Sequence, residues 1–137
     1  MSTDRLRARI PGAEPAGAAR IEGFELVCNK RGKDGSGKAN LVEASASAWG
    51  VLFRVTHADW TALDRFEWGY ARHTCRVFDR ADTPLDAQLY LALAPEPRDI
   101  PPYDWYRAHC LDGAREHDLP GDVIATIESW AVEIARR

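Results

Sequence analysis

The run PEPRDIPP carries four prolines, Pro95, Pro97, Pro101 and Pro102, and it divides what the chain can form on either side of it. Proline offers no N–H to a strand ladder and breaks a helix interior, so neither regular element crosses this segment. Before it lie strand-like runs. WGVLFRV, Trp49 to Val55, is dense in aromatic and β-branched residues, and Phe24, Leu26 and Cys28 alternate as a half-buried strand does. Tyr70 to Phe78 and Ala87 to Leu93 read as two further strands, and DRADTPLD between them supplies the turn chemistry of a hairpin. Thr56 reads as an N-cap, with Asp59 near the helix dipole, for a short helix to about Phe66 that turns Trp60 and Leu63 to one side. After the prolines the spacing changes. Tyr103, Tyr106, Cys110 and Ala114 share one helical face, and beyond the break at Pro120 and Gly121 so do Val123, Ile127, Trp130 and Ile134. Helices of this length do not stand alone in water, so both stripes must pack on the sheet. The expected class is α+β, a curled mixed or antiparallel sheet, small and barrel-like, with packed helices.

Two segments read as loops. IPGAEPAGAAR, residues 10–20, is rich in Gly, Pro and Ala, and NKRGKDGSGKAN, residues 29–40, has too little apolar content to pack. The second contains GSGK, but no Ser or Thr follows Lys38 and the full phosphate-loop spacing is absent, so a solvent loop is the reading kept. A length of 137 residues suits one domain over 1–137, and a net charge of −3 gives no reason to expect nucleic acid or an anionic membrane as partner. Cys28, Cys75 and Cys110 are odd in number and far apart, which fits reduced thiols in a cytoplasmic setting better than a disulfide scaffold. No apolar run reaches the length of a membrane span, and the first residues form no signal segment.

Few residues stand out as carriers of chemistry. Glu67 falls where a short helix gives way to a strand, in LDRFEWGY, flanked by Phe66, Trp68 and Tyr70. A carboxylate partly removed from water there would have a raised pKa, as proton transfer near neutrality requires. Local context alone favours a solvated glutamate at a helix end, since exposure is the commoner state of glutamate. Gly69 beside it marks a tight turn or a close backbone approach. Trp68 is a candidate pocket wall, as is the 29–40 segment. His57, His73, His109 and His117 form no HxH or HExxH pattern, and neither a GxSxG elbow nor a cysteine-nucleophile motif is present.

Three segments together resemble the γ-glutamylcyclotransferase (AIG2-like) family. AWGVLFRVTHADWTALDRFE is similar to its G-V-x-[YWF] strand, short helix and LDxxE; GYARHTCRVF resembles the tyrosine-bearing strand that follows; and YRAHCLDGAREHDLPGDVIATI resembles its C-terminal Y-x(6)-G-A-x-E-x-x-L-P helix and turn. The opening segment fits the stretch just after the family's first strand. The resemblance implies a curled sheet whose pocket holds a small γ-glutamyl amine or peptide. The substrate's own α-amine attacks its γ-carbonyl, which gives 5-oxoproline and a free amine or amino acid. Glu67 would be the general acid/base, Trp68 and Tyr70 would bind substrate (with Ala71 the alternative to Tyr70), and no cofactor or metal is required.

One departure bears on all of this. The family's first strand leads to a YGSN turn that helps hold the glutamyl end and form the oxyanion site, and this chain has no YGSN; Met1 falls where the residue after it would stand. Either residues precede Met1 in the natural product or the protein is short. In the second case it would be a catalytically impaired enzyme or a non-catalytic small-molecule-binding protein on the same fold. A strand edge left open would favour a homodimer.

Overall fold

The computed structural model describes residues 3–134. In chain order these form α1 (Thr3–Arg9), β1 (Glu14–Arg31), β2 (Gly37–Arg54), α2 (Asp59–Phe66), β3 (Tyr70–Asp79), β4 (Pro84–Ala92), α3 (Asp104–Glu116) and α4 (Gly121–Glu128). The four strands make one antiparallel sheet in the order β2-β1-β3-β4. The fold is therefore α+β, with the hairpin at DRADTPLD where turn chemistry placed it. Asp79 accepts the N–H groups of Ala81 and Thr83 through Oδ1, and Asp82 holds a φ of 61°.

The sheet curls because its long β1–β2 hairpin slips register three times, between Pro15 and Gly17, Glu22 and Phe24, and Val27 and Lys30. Each extra residue bends the strand and deepens its twist. At the middle slip Gly23 takes a φ of 82°, which an L side chain resists. That bulge shifts the side-chain phase, so Ile21 and Phe24, three apart, pack into one cluster with Ala19, Ala48 and Val77 on the inside of the curl. The other face is closed by α3 and α4: Cys110, Ala114, Leu119, Val123, Ile127 and Trp130 bury against Ala18 and Cys28 of β1.

Four sequence expectations are corrected. Residues 14–20 are strand, not loop, because small residues let β1 be covered on both sides: Ala18 faces the helices while Ala19 faces the curl. Residues 29–40 are not a mobile loop either. β1 continues to Arg31 and β2 begins at Gly37, leaving 32–36 as the turn, and Asn29, Lys30, Ser36 and Asn40 are buried. Thr56 does not cap α2; the bonds run the other way, its N–H and hydroxyl both donating to Asp59 Oδ2 at 3.1 and 2.8 Å. Finally, α4 stops at Glu128, so Trp130 enters the core from beyond the helix and Ile134 is 75% exposed. Arg107 of α3 donates to the carbonyls of Glu128 and Trp130, and Glu133 N–H bonds to Pro102, which draws the chain off the helix axis. The helix α1 had no counterpart in the periodicity; Ile10, just after it, seals a third cluster with Ala13 and Leu63, and Leu6 packs on it.

Buried asparagines tie the ends of the curl together. Asn40 Nδ2 donates to Asn29 Oδ1 at 3.0 Å, Asn40 Oδ1 accepts Ala92 N–H at 2.9 Å, and Asn29 Nδ2 donates to the Glu96 carbonyl at 3.1 Å. Strands β2 and β4, far apart in sheet order, meet through Asn40. Replacing Asn40 with Leu keeps its bulk but leaves the Asn29 carbonyl and the Ala92 N–H without partners. Unsatisfied buried groups are costly, so urea unfolding should show a loss of about 2–5 kcal/mol.

Candidate active site

A cavity of about 390 Å³ opens between α1, the end of α2, the β1–β2 turn and α3, within the usual size range for small-molecule sites. Glu67 reaches it from the C-cap of α2, where its N–H bonds to the Leu63 carbonyl at 3.0 Å. The chain then turns sharply, Tyr70 N–H bonding back to the Glu67 carbonyl at 3.2 Å with Gly69 at a φ of 79° between them. Such a turn requires positive φ at its third residue, which glycine supplies without strain. Trp68 and Tyr70 follow Glu67 into the same cavity wall, so the three residues singled out in LDRFEWGY lie together.

Their settings differ. Trp68 is 52% exposed at the mouth, with Lys30 and Lys33 ammonium groups 4.5 and 5.2 Å from its ring centroid. The Tyr70 hydroxyl is already engaged, donating to the Ala39 carbonyl at 2.7 Å, so Tyr70 presents its ring rather than a free hydroxyl. Burial raises its pKa. Glu67 is partly buried and is the single carboxylate among the described residues lining the cavity. Burial pushes its pKa above the ordinary carboxylate range, while the positive charges of Arg9, Arg5 and Lys30 pull it back.

The surrounding charge is opposite in sign. Arg5, Arg9, Lys30, Lys33, Lys38 and Arg65 all line the same space. Lys38 is paired with Asp34 at 3.4 Å, and Arg9 lies 5.1 Å from the Phe66 ring centroid. From α3 come Tyr106 and Cys110. The Tyr106 hydroxyl accepts the Ala39 N–H at 2.9 Å, so one residue of β2 is held by two cavity tyrosines. Burial raises the Cys110 thiol, the reverse of what an activated nucleophile needs. Among the described residues no cluster of His, Cys, Asp and Glu could hold a metal ion, and no helix is long and apolar enough to cross a membrane.

The 29–40 segment, named as a candidate wall, does line the cavity through Lys30, Lys33 and Lys38, but the strand setting of Lys30 and Lys38, and Tyr106 as a wall residue, escaped sequence reasoning. The two lysines sat in a stretch read as solvent loop, and Tyr106 in a stripe read as plain core. One signal was available: NKR and KAN flank GKDGSG almost symmetrically, the arrangement of strands about a glycine-rich hairpin turn.

The sequence pattern of the AIG2-like family matches residues 47–127, which run from β2 through α4 and include Glu67, Trp68 and Tyr70. The chain belongs to the AIG2-like family. No curated protein sequence matches it. Among solved structures, a gamma-glutamyl cyclotransferase superposes with a TM-score of 0.90 at 20% identity, over 99% of this chain and 85% of that one. The crystal structure of an uncharacterized protein from Homo sapiens superposes over the same shares with a TM-score of 0.89 at 21% identity. YkqA from Bacillus subtilis gives a TM-score of 0.77 at 18% identity, over 95% of this chain and 49% of its own. At these identities the likeness establishes a common fold.

The raised pKa of Glu67 also links to stability. A carboxylate whose pKa is higher folded than unfolded contributes stability below its unfolded pKa and loses that contribution as pH rises through the folded one. Glu67 to Gln, which removes the buried charge, should therefore raise the melting temperature at neutral pH and have little effect near pH 4. Thermal melts of both proteins across that range check the sign.

Proposed function

We propose that this AIG2-like protein is a γ-glutamylcyclotransferase, converting a small γ-glutamyl amine or peptide to 5-oxoproline and the free amine or amino acid. The observation that carries the reading is Glu67: the one carboxylate among the described residues of the lining, its pKa raised by burial, in a cavity whose other charged residues are arginines and lysines. Family membership and the shared fold support it.

The chemistry asks for that combination. A γ-glutamyl compound carries its α-amine as an ammonium, which has no lone pair. Glu67 takes one proton, and the freed nitrogen attacks the γ-carbonyl carbon to form a tetrahedral adduct with negative charge on oxygen. The bond from that carbon to the leaving nitrogen then breaks as Glu67 returns the proton to it. The attacking nitrogen loses a further proton as the lactam forms, and the released amine gains one from solvent, so atoms and charge balance without a co-reactant. A carboxylate whose pKa burial has raised is a better proton acceptor than an ordinary one and can still return the proton. The basic lining offers positive potential to the substrate's carboxylate and to the developing oxyanion. A folded substrate held with its amine near the carbonyl supplies much of the remaining acceleration, since orientation alone can be worth about 7–11 kcal/mol. The walls of Trp68, Tyr70 and Tyr106 would enforce such a bend.

Glu67 to Gln tests this directly. It preserves shape and removes the proton carrier, so 5-oxoproline release from a panel of γ-glutamyl compounds should fall by about 100-fold or more with circular dichroism unchanged. Turnover equal to that of the parent would refute the assignment. Binding of γ-glutamyl compounds by the parent without any 5-oxoproline would point instead to a non-catalytic binding protein.

A further inference from the structure

Lys30 stands apart from the other cavity cations. It is only 5% exposed, although it is a lysine on a strand next to a turn. Its Nζ lies 4.5 Å from the Trp68 ring centroid and 5.0 Å from that of Tyr70, and among the described residues neither a hydrogen bond nor an ion pair reaches it. Ring faces attract an ammonium but do not replace a counter-ion, and a buried charge without one is costly. The fold nonetheless reserves room for it. A Cβ on Gly69 would fall 2.7 Å from Lys30 Cε and 2.8 Å from Nζ, so the glycine that turns the chain after Glu67 also admits this ammonium. Lys30 and Glu67 lie close enough for each to act on the other's ionisation, the ammonium lowering the pKa of Glu67 and the carboxylate raising that of Lys30.

We propose that Lys30 binds the α-carboxylate of the substrate's γ-glutamyl end, so that Lys30 and Glu67 together grip an α-amino-acid zwitterion, cation to carboxylate and carboxylate to ammonium. This rests on the cyclotransferase reading and adds the group that positions the reacting nitrogen. The α-carboxylate and α-amine share one carbon, so holding the first on Lys30 fixes the second beside Glu67. A bound carboxylate supplies the ion-pair partner within contact distance that Lys30 lacks among the described residues, and charge-assisted hydrogen bonds of this kind are among the stronger ones. Burial depresses the Lys30 pKa, and an arriving carboxylate would restore it.

The test compares two substrates with the same leaving amine: the L-γ-glutamyl amide, and its 4-aminobutanoyl counterpart, which lacks only the α-carboxylate and would cyclise to 2-pyrrolidinone. The parent protein should prefer the first by about 10- to 100-fold in kcat/KM, the range of a hydrogen bond to a charged group. In Lys30→Met the preference should shrink to about threefold or less, through a raised KM for the L-γ-glutamyl amide and little change for the analogue. Lys30→Gln, a polar replacement, should behave alike, and thermal melts establish that both variants fold. A preference left intact in folded variants overturns the proposal. Calorimetry separates this outcome from failure of the cyclotransferase reading. If the parent turns over neither substrate, it should still bind L-glutamate more tightly than 4-aminobutanoate, and Lys30→Met should lose that difference. Equal binding of the two ligands by the parent, or an undiminished difference in the variant, counts against Lys30.

Discussion

The register slip between Val27 and Lys30 organises most of what surrounds the cavity. Cys28 and Asn29 on β1 face Ala39 alone on β2, so the backbone groups of all three drop out of the ladder. Buried backbone groups need other partners, and here the partners are the parts of the molecule that build the site. The Cys28 carbonyl takes Ile100 N–H at 2.8 Å, the Asn29 carbonyl takes Glu96 N–H at 2.7 Å, and Cys28 N–H bonds to Asp99. The proline-rich segment is thereby strapped across the hairpin. On the opposite strand the Ala39 carbonyl and N–H are held by Tyr70 and Tyr106. One bulge thus binds β3, α3 and the connecting segment to the hairpin tip and sets Lys30 beside Glu67.

Charge at the site is balanced between two opposing effects. Burial pushes the Glu67 pKa up, and the positive charges of Arg9, Arg5 and Lys30 pull it down. Burial is the larger effect, so the pKa is raised overall, the direction that favours proton uptake. Of these cations Lys38 is paired with Asp34 at 3.4 Å, and Glu67 is the one carboxylate among the described residues of the lining. The excess of cationic over anionic side chains among the described lining residues suits an anionic small molecule, the class of ligand proposed for the cavity.

Stability and function also share components. Tyr70 and Tyr106 form the cavity wall, yet their hydroxyls satisfy backbone that the bulge released. Gly69 both permits the turn after Glu67 and clears space for Lys30. Substitutions at these positions would disturb the wall and the fold at once, whereas Glu67 and Lys30 carry charge that the fold holds at a cost.

Much of the fold was legible in the sequence because it depends on local rules. Strands β3 and β4, their aspartate-rich turn, the short helix before Glu67 and the break at the prolines followed from β-branched runs, helical spacing and missing N–H groups. Glu67 was legible too, through LDxxE and the distant GAREHDLP segment. Tertiary structure decided the rest. Nothing local makes NKR and KAN strands, since Asn and Lys have poor strand propensity; they pair because Asn29 and Asn40 bond to Glu96 and Ala92, residues that sequence holds far away. Burial of Lys30 is likewise a result of assembly, set by rings from another strand and a glycine in another turn. The sequence by itself determined the strands β3 and β4, the helix before Glu67 and the switch to helix after the prolines, while α1, the long β1–β2 hairpin, its bulge with the borrowed hydrogen bonds and the buried lysine depended on long-range packing, because backbone groups freed at one point find partners only once the whole sheet has curled.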